Sequence, residues 1–362
     1  SGTLTLTGSG RIGNGGLTVN NGGTLSVATN AFNSLGGAIT VNEGGTLSTD
    51  STGNNANNIG AISINGGTLT SSGNAYAEGN WIFNGDVTVG GNALSTISGL
   101  EVGSKDGGGT FNVADSVAGS GTDLLVTASM VDASGGSFLT KTGTGTMTLA
   151  GTNTYTGTTT INQGTLELAT SALTFGHTVI IDGATDGTAT MRLTGSGGGA
   201  NNMLSDAAVT IQNGGTLDDA TTDANVQSMG TITFNNGGTM SSSGASRNAT
   251  FGNYFIKGGV IVTGNAAATI DATELSLNGT QTFNVADATG DANSDLTISS
   301  EINEFGGGSL TKTGAGTVTL SSTVRNTYTG ATTINQGTLE LASSGLKSNN
   351  TVIIDGATDG TA

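Results

Sequence analysis

The chain has no cysteine and no proline, one histidine and one tryptophan among 362 residues. Each absence excludes something. Without cysteine there are no disulfides and no thiolate metal sites. Proline removes a ladder donor, and about 18 would be expected at a typical 5%. Its complete absence suits a chain in which nearly every residue lies in or beside a strand ladder. Basic residues are scarce: nine Lys and Arg against 26 Asp and Glu, a formal charge of −17. Nucleic-acid binding needs clustered Lys and Arg and is excluded as a function class. No apolar run approaches the roughly 18 residues of a membrane-spanning helix. No signal peptide is visible, and Ser1 is not a natural start, so the chain is expected to be part of something longer.

Glycine, by contrast, is abundant at 64 residues, about 18% where about 7% is usual. Charged residues are 10%, where about 25% is usual. Thr, Ser and Asn take their place. Val, Ile and Leu alternate with Thr throughout, which is the order a sheet needs.

The chain also repeats itself at two scales. Ser137–Leu168 and Ser309–Leu341 are near copies, and TVIIDGATDGTA occurs at Thr178–Ala189 and again at Thr351–Ala362. Within this long repeat a Gly-Gly-Thr-Leu element begins at Gly22, Gly44 and Gly66, with variants at Gly214 and Gly237. Each element joins two short period-2 strands through Asn and Gly, residues that accept positive φ. A strand-NGG-strand unit alone suggests a hairpin. A regular step near 22 residues instead implies coils that cannot bury an apolar face alone and stack on their neighbours.

The expected fold is therefore all-β: a right-handed parallel β-helix, or β-solenoid, of about 20–22 residues per coil. Its core would take Leu149, Ile161, Leu166 and Leu168, matched by Leu320, Ile334, Leu339 and Leu341. Asp123–Met130 reads locally as a helix, but its counterpart Asp295–Ser300 reads as strand. The long repeats predict a first β-helix unit over 1–187 and a second, continuous with it, over 188–362. Both ends fall at the same phase of the repeat, and no capping coil is apparent. The expectation is a slice of a longer tandem array.

Leu139-Thr140-Lys141-Thr142-Gly143, Asn153-Thr154-Tyr155-Thr156-Gly157 and Gly164-Thr165-Leu166 recur as Leu310–Gly314, Asn326–Gly330 and Gly337–Leu339. Phe111–Asp115 and Phe283–Asp287 form a shared lead-in strand. These segments resemble the passenger-associated strand repeat of bacterial autotransporters. The resemblance implies a parallel β-helix exported to the surface of a Gram-negative cell, of a kind associated with long, stalk-like passengers. Ser321–Arg325 carries two residues more than the first copy, so that turn is expected to bulge.

Candidate chemistry is sparse. His177 is the single His, and no G-x-S-x-G elbow surrounds a Ser, so no nucleophilic triad is assigned. Arg11, Arg192, Arg247 and Arg325 are spread along the chain, unlike the basic cluster of a polysaccharide-cleaving β-helix. Asp287, Asp291, Asn293 and Asp295 have the oxygen-rich spacing of a calcium loop, but Leu296 stands where an EF-hand needs Gly. Asp182, Asp186, Asp355 and Asp359 read as turns. Tyr155 and Tyr328 suit either sugar stacking or packing within the coil. Asn248-Ala249-Thr250 and Asn278-Gly279-Thr280 are sequon-like. No catalytic, cofactor or metal residue is assigned, and calcium is the one ion the spacing suggests. The function expected is a non-enzymatic stalk or extracellular fibre, whose partner is itself, head to tail or as a longer covalent array. The alternatives are an adhesin that binds surface glycans or neighbouring cells, and a polysaccharide-processing enzyme.

Overall fold

A computed structural model describes residues 1–362 except 8–10, 29–34, 51–55, 76–78, 105–108, 118, 120, 134–135, 171, 196–201, 223–225, 245–251, 344 and 357–362. The described residues contain strands and turns and no helix. Two compact units are present, Ser1–Thr174 and Phe175–Ala362.

In the first unit, eight strands stack in one face: Gly2–Thr7, Gly23–Ala28, Thr46–Thr49, Thr68–Ser71, Ser95–Ser98, Leu124–Val126, Thr146–Leu149 and Thr165–Leu168. A second face stacks Leu17–Val19, Ile39–Asn42, Ile62–Asn65, Val87–Val89, Gly109–Val113, Leu139–Thr142 and Thr159–Ile161. Every pairing between these strands is parallel. Chain-consecutive strands lie on different faces, so each coil pairs with the next coil and not with itself. That is a β-solenoid, and it excludes the hairpin reading of the NGG turns. The second unit repeats both faces, from Thr190–Leu193 to Thr338–Leu341 in one and from Thr178–Asp182 to Val352–Ile354 in the other. The segment suspected of helix forms two strands, Leu124–Val126 and Ser129–Asp132.

Coil length departs from the expected 20–22 residues. Thr24, Thr46 and Thr68 do pair at 22-residue steps. Thr68 pairs with Thr96, however, and Thr96 with Leu125, steps of 28 and 29. The step falls to 19 between Thr146 and Thr165 and reaches 30 between Thr239 and Thr269. Much of the surplus builds a third face that the alternation did not announce. In the first unit this face is Asn57–Ile59, Trp81–Phe83, Glu101–Ser104 and Ser129–Asp132. In the second it is 227–229, Tyr254–Ile256, 275–277 and 302–304. Three of those segments run without a break into the neighbouring face, as the long strands Gln227–Asn235, Glu274–Val285 and Glu301–Thr313.

Inward residues form apolar columns. Leu25, Leu47, Leu69 and Ile97 lie in register and are fully buried. So do Ile39, Ile62, Val87 and Phe111. Columns of like side chains pack at interior density and are the main stabilising term of such a fold. Leu149, Ile161, Leu166 and Leu168 are all buried, as expected, and so is Leu320. Ile334 and Leu339 are half-buried and Leu341 is exposed. Those three lie on the last described coils, where little stacks above them.

The turns explain the Gly-Gly pair. Gly44 adopts φ 70°, in the left-handed region. Gly45 needs space instead: a Cβ there would lie 2.5 Å from the Val19 carbonyl oxygen of the preceding coil. Asn side chains link the same turns along the stack. Asn65 donates to Asn42 at 3.1 Å and Asn42 to Asn20 at 2.7 Å.

Candidate functional site

The most distinctive polar groups in the molecule are buried, and they occur twice. The strand Leu139–Thr142 should alternate apolar-in and polar-out, yet Lys141 occupies an inward position, in register between Phe111 and Ile161. Lys312 stands likewise between Phe283 and Ile334. Both side chains are fully buried.

Each ammonium has three N–H donors, and each meets three carbonyls. Lys141 Nζ donates to Thr142 at 2.9 Å, Gly143 at 2.7 Å and Gln163 at 3.1 Å. Lys312 Nζ donates to Thr313 at 2.9 Å, Gly314 at 2.7 Å and Gln336 at 3.2 Å. Gly143 and Gly314, at φ 75° and 79°, turn those carbonyls inward.

A buried carboxylate accompanies each lysine. Asp123 Oδ1 accepts from the backbone N–H of Ser116 and Val117 at 2.7 and 2.8 Å, and Oδ2 accepts from Thr146 N–H at 2.7 Å. Asp295 repeats this with Ala288 and Thr289, both at 2.8 Å, and Thr317 at 2.7 Å. Burial pushes Lys141 down to about 7, against the charge of Asp123, which raises it. Lys312 is pushed down to about 8 by burial, again opposed by Asp295.

Tyr155 and Tyr328 follow the two lysines in the same segments of the chain. Both rings are buried, and each hydroxyl shares a 2.6 Å hydrogen bond with a buried threonine, Thr159 or Thr332. Burial raises both phenols above their usual range. Neither ring is offered to a sugar, so packing is the reading the structure upholds. Asn326 Oδ1 accepts from Ile302 N–H at 2.8 Å.

The other sequence candidates do not converge. His177 is buried, and its carbonyl accepts from Ala208 N–H at 2.9 Å. Arg192 pairs with Asp218 at 3.7 Å, Arg11 and Arg325 are exposed, and Arg247 and Asn248–Thr250 lie outside the described residues. In the calcium-like stretch Asp295 faces inward. Asp287 accepts from Gly290 N–H, and Asp291 from Asn293 N–H, both at 2.8 Å. Among the described residues no three His, Asp or Glu side chains are grouped so as to hold a metal ion. Asp182 accepts from Gln212 and Asn213, both at 2.8 Å, and from Ala184 N–H at 3.0 Å. Asp186 closes a turn onto Thr188 N–H at 3.0 Å, and Asp359 is outside the described residues. The expected bulge is present: residues 323–325 are exposed and Ser322 accepts from Val324 N–H at 3.2 Å.

Lys141 with Tyr155, and Lys312 with Tyr328, fall within a known repeat, which Asp123 and Asp295 precede. The sequence model of the family described as Passenger-associated-transport-repeat matches residues 139–168 and 310–341. The chain resembles an autotransporter passenger. It is 30% identical, over 277 residues, to the Adhesin BmaC autotransporter of Brucella suis biovar 1 (strain 1330). That match takes in 66% of this chain and 8% of the adhesin's length. No solved structure matches. In both passenger-associated repeats the signature letters prove to be interior groups: Lys141 and Lys312 cap carbonyls, Tyr155 and Tyr328 pack, and the glycines bend the strand ends.

Proposed function

We propose that this chain is a non-enzymatic segment of a surface-exposed, adhesin-like passenger, and that its repeated coils serve as a stalk. One observation carries this reading: the distinctive polar residues of both repeats are spent on backbone groups within and between coils. They hold the solenoid together and leave no converging acid, base or nucleophile there. The match to an autotransporter adhesin supports export to the surface of a Gram-negative cell, and the excess of surface acid suits a protein that must stay dispersed. The partners in this reading are further copies of the same repeat, in one covalent array or head to tail.

The test is display of one, two and three tandem copies of the chain on a Gram-negative host, anchored by an outer-membrane barrel and carrying a distal epitope tag. Immunogold microscopy should place the tag further from the membrane with each added copy. A tag height independent of copy number would refute the stalk. Cleavage of a polysaccharide panel by the purified chain would refute the non-enzymatic reading.

A further inference from the structure

Asparagine followed by glycine is the least hindered place for a backbone nitrogen to attack a side-chain amide, because glycine has no Cβ to block the approach. The chain contains seven such pairs, beginning at Asn14, Asn21, Asn65, Asn84, Asn213, Asn236 and Asn278. The fold holds six of them. Asn65 donates to Asn42 at 3.1 Å, and the Gly66 N–H that would attack is given to Ser95 Oγ at 2.9 Å. Gly22 N–H is given to the Gly44 carbonyl at 3.0 Å. Asn213 donates to Asp182 and accepts from Asn236, both at 2.8 Å, and Asn236 accepts from Asn265 N–H at 3.3 Å. Asn84 donates to Asn58 at 3.2 Å. Asn14 and Gly15 lie against the next coil: a Cβ on Gly36 would come 2.8 Å from Asn14 Oδ1, and one on Gly37 2.6 Å from the Gly15 carbonyl oxygen.

Asn278 is held by none of these devices. It is exposed, and its side chain makes no hydrogen bond among the described residues. It lies within the long strand Glu274–Val285, at the corner between the third face and its neighbour. Toward the following coil the register runs from Asn278 with Phe305 to Thr280 with Ser309 and passes over Gly279. Toward the preceding coil the paired segments are 275–277 and 283–285, which include neither residue. Gly279 adopts φ 64°, and a Cβ there would meet nothing within 4 Å. Gly306 and Gly307 on the opposing strand are equally open, at φ 76° and 84°. A paired strand is fixed in its extended geometry, whereas a corner outside the ladder can bend locally at little cost.

We propose that Asn278–Gly279 is a self-modification site, at which Asn278 converts spontaneously to aspartate and isoaspartate with water as co-reactant. The Gly279 nitrogen bonds to Asn278 Cγ, the Cγ–Nδ2 bond breaks, and ammonia leaves with the Gly279 amide proton. Water then opens the cyclic imide. Cleavage of the new bond to Cγ gives aspartate. Cleavage of the original bond to the main-chain carbonyl gives isoaspartate, whose backbone runs through the former side chain. No oxidation or reduction is involved. Either product adds a negative charge at an exposed position in register with Phe305, next to Glu304 on the neighbouring coil.

The experiment ages the full folded chain in mildly alkaline buffer and follows all seven pairs by peptide mass mapping. Released ammonia and labelling by an isoaspartate-specific methyltransferase are read alongside. Conversion at Asn278 should outpace each of the other six by about tenfold or more, the scale on which misplacing a reacting atom acts. Isoaspartate should form part of the product, and Asn278→Gln should remove most of the ammonia and of the methyltransferase signal. In urea, where every pair is released from the fold, the seven rates should draw together. Conversion at another pair that matches or exceeds Asn278 in the folded chain would overturn the proposal. So would aspartate formed without isoaspartate, which means direct hydrolysis, a signal that survives Asn278→Gln, or a lead for Asn278 that persists in urea, which would place its cause in local sequence and not in the corner.

Discussion

Lys141 and Lys312 occupy positions that the alternation of their strands assigns to apolar side chains, and this fixes how they titrate. An unfolded lysine has its ordinary value of 10.5, whereas Lys141 is held at about 7 and Lys312 at about 8 in the folded chain. Between those values the unfolded state binds more protons, so stability rises with pH across that window. Below about 7 both states are protonated and this contribution stops changing. Urea unfolding followed from pH 6.5 to 10 should show the midpoint rising, and Lys141→Met should remove the part that begins near pH 7. Asp123 is the counterpart test. Its buried carboxylate accepts three backbone N–H groups, so Asp123→Ala should cost about 3–5 kcal/mol in urea unfolding. These roles were only partly legible in the sequence. Lys141 was visible as a repeated letter, but exposure is the default for a lysine. The oxygen-rich stretch near Asp295 suggested a cation, whereas its one buried member serves backbone amides. The available signal was that Asp123 and Asp295 recur between the two units while Asp291 and Asn293 do not.

At the scale of the element, the solenoid was readable wherever alternation was clean. The Leu17–Thr49 stretch gives its strands, turns and inward residues directly. The third face was not, because Trp81–Phe83 and Tyr254–Ile256 are buried on both sides and carry no period-2 signal. Equivalent letters also differ in consequence. Leu168 is fully buried and Leu341 is 47% exposed. Leu168→Ala should cost about 2–5 kcal/mol, and Leu341→Ala in this chain well under half of that, both read from denaturant midpoints. The bulge has a steric origin. Gly151 lies where a Cβ would come 2.2 Å from the Ala128 carbonyl oxygen, and the second copy has Ser322 there with two extra residues. Deleting Thr323 and Val324 should destabilise by about 1–3 kcal/mol through overpacking. Adding Ser322→Gly to the deletion should restore most of the loss.

For the whole molecule, burial of Lys141 and Lys312 leaves at most seven of the nine basic residues at the surface, against at most 22 of the 26 acidic ones, since Asp123, Asp219, Glu274 and Asp295 are buried. Long-range repulsion between copies should keep the protein dispersed at neutral pH and fade toward its pI near 4.1. Light scattering across pH 7.5 to 4 should show association rising as the pI is approached, and at neutral pH with added salt, which screens the same charges.

The direction in which the buried groups reach has a mechanical consequence. Lys141 takes its third carbonyl from Gln163, one coil later in the chain, and Asp123 takes the Thr146 N–H in the same sense. A stack peeled back to this point leaves a charged group facing a half-built end, short of partners it had when closed. Ordinary apolar coils should give way one after another under a steady pull, while the coils holding Lys141 and Lys312 should resist as discrete steps in the force trace. Each repeat thereby sets a stop against fraying, spaced along the chain like rungs at which unzipping must pause.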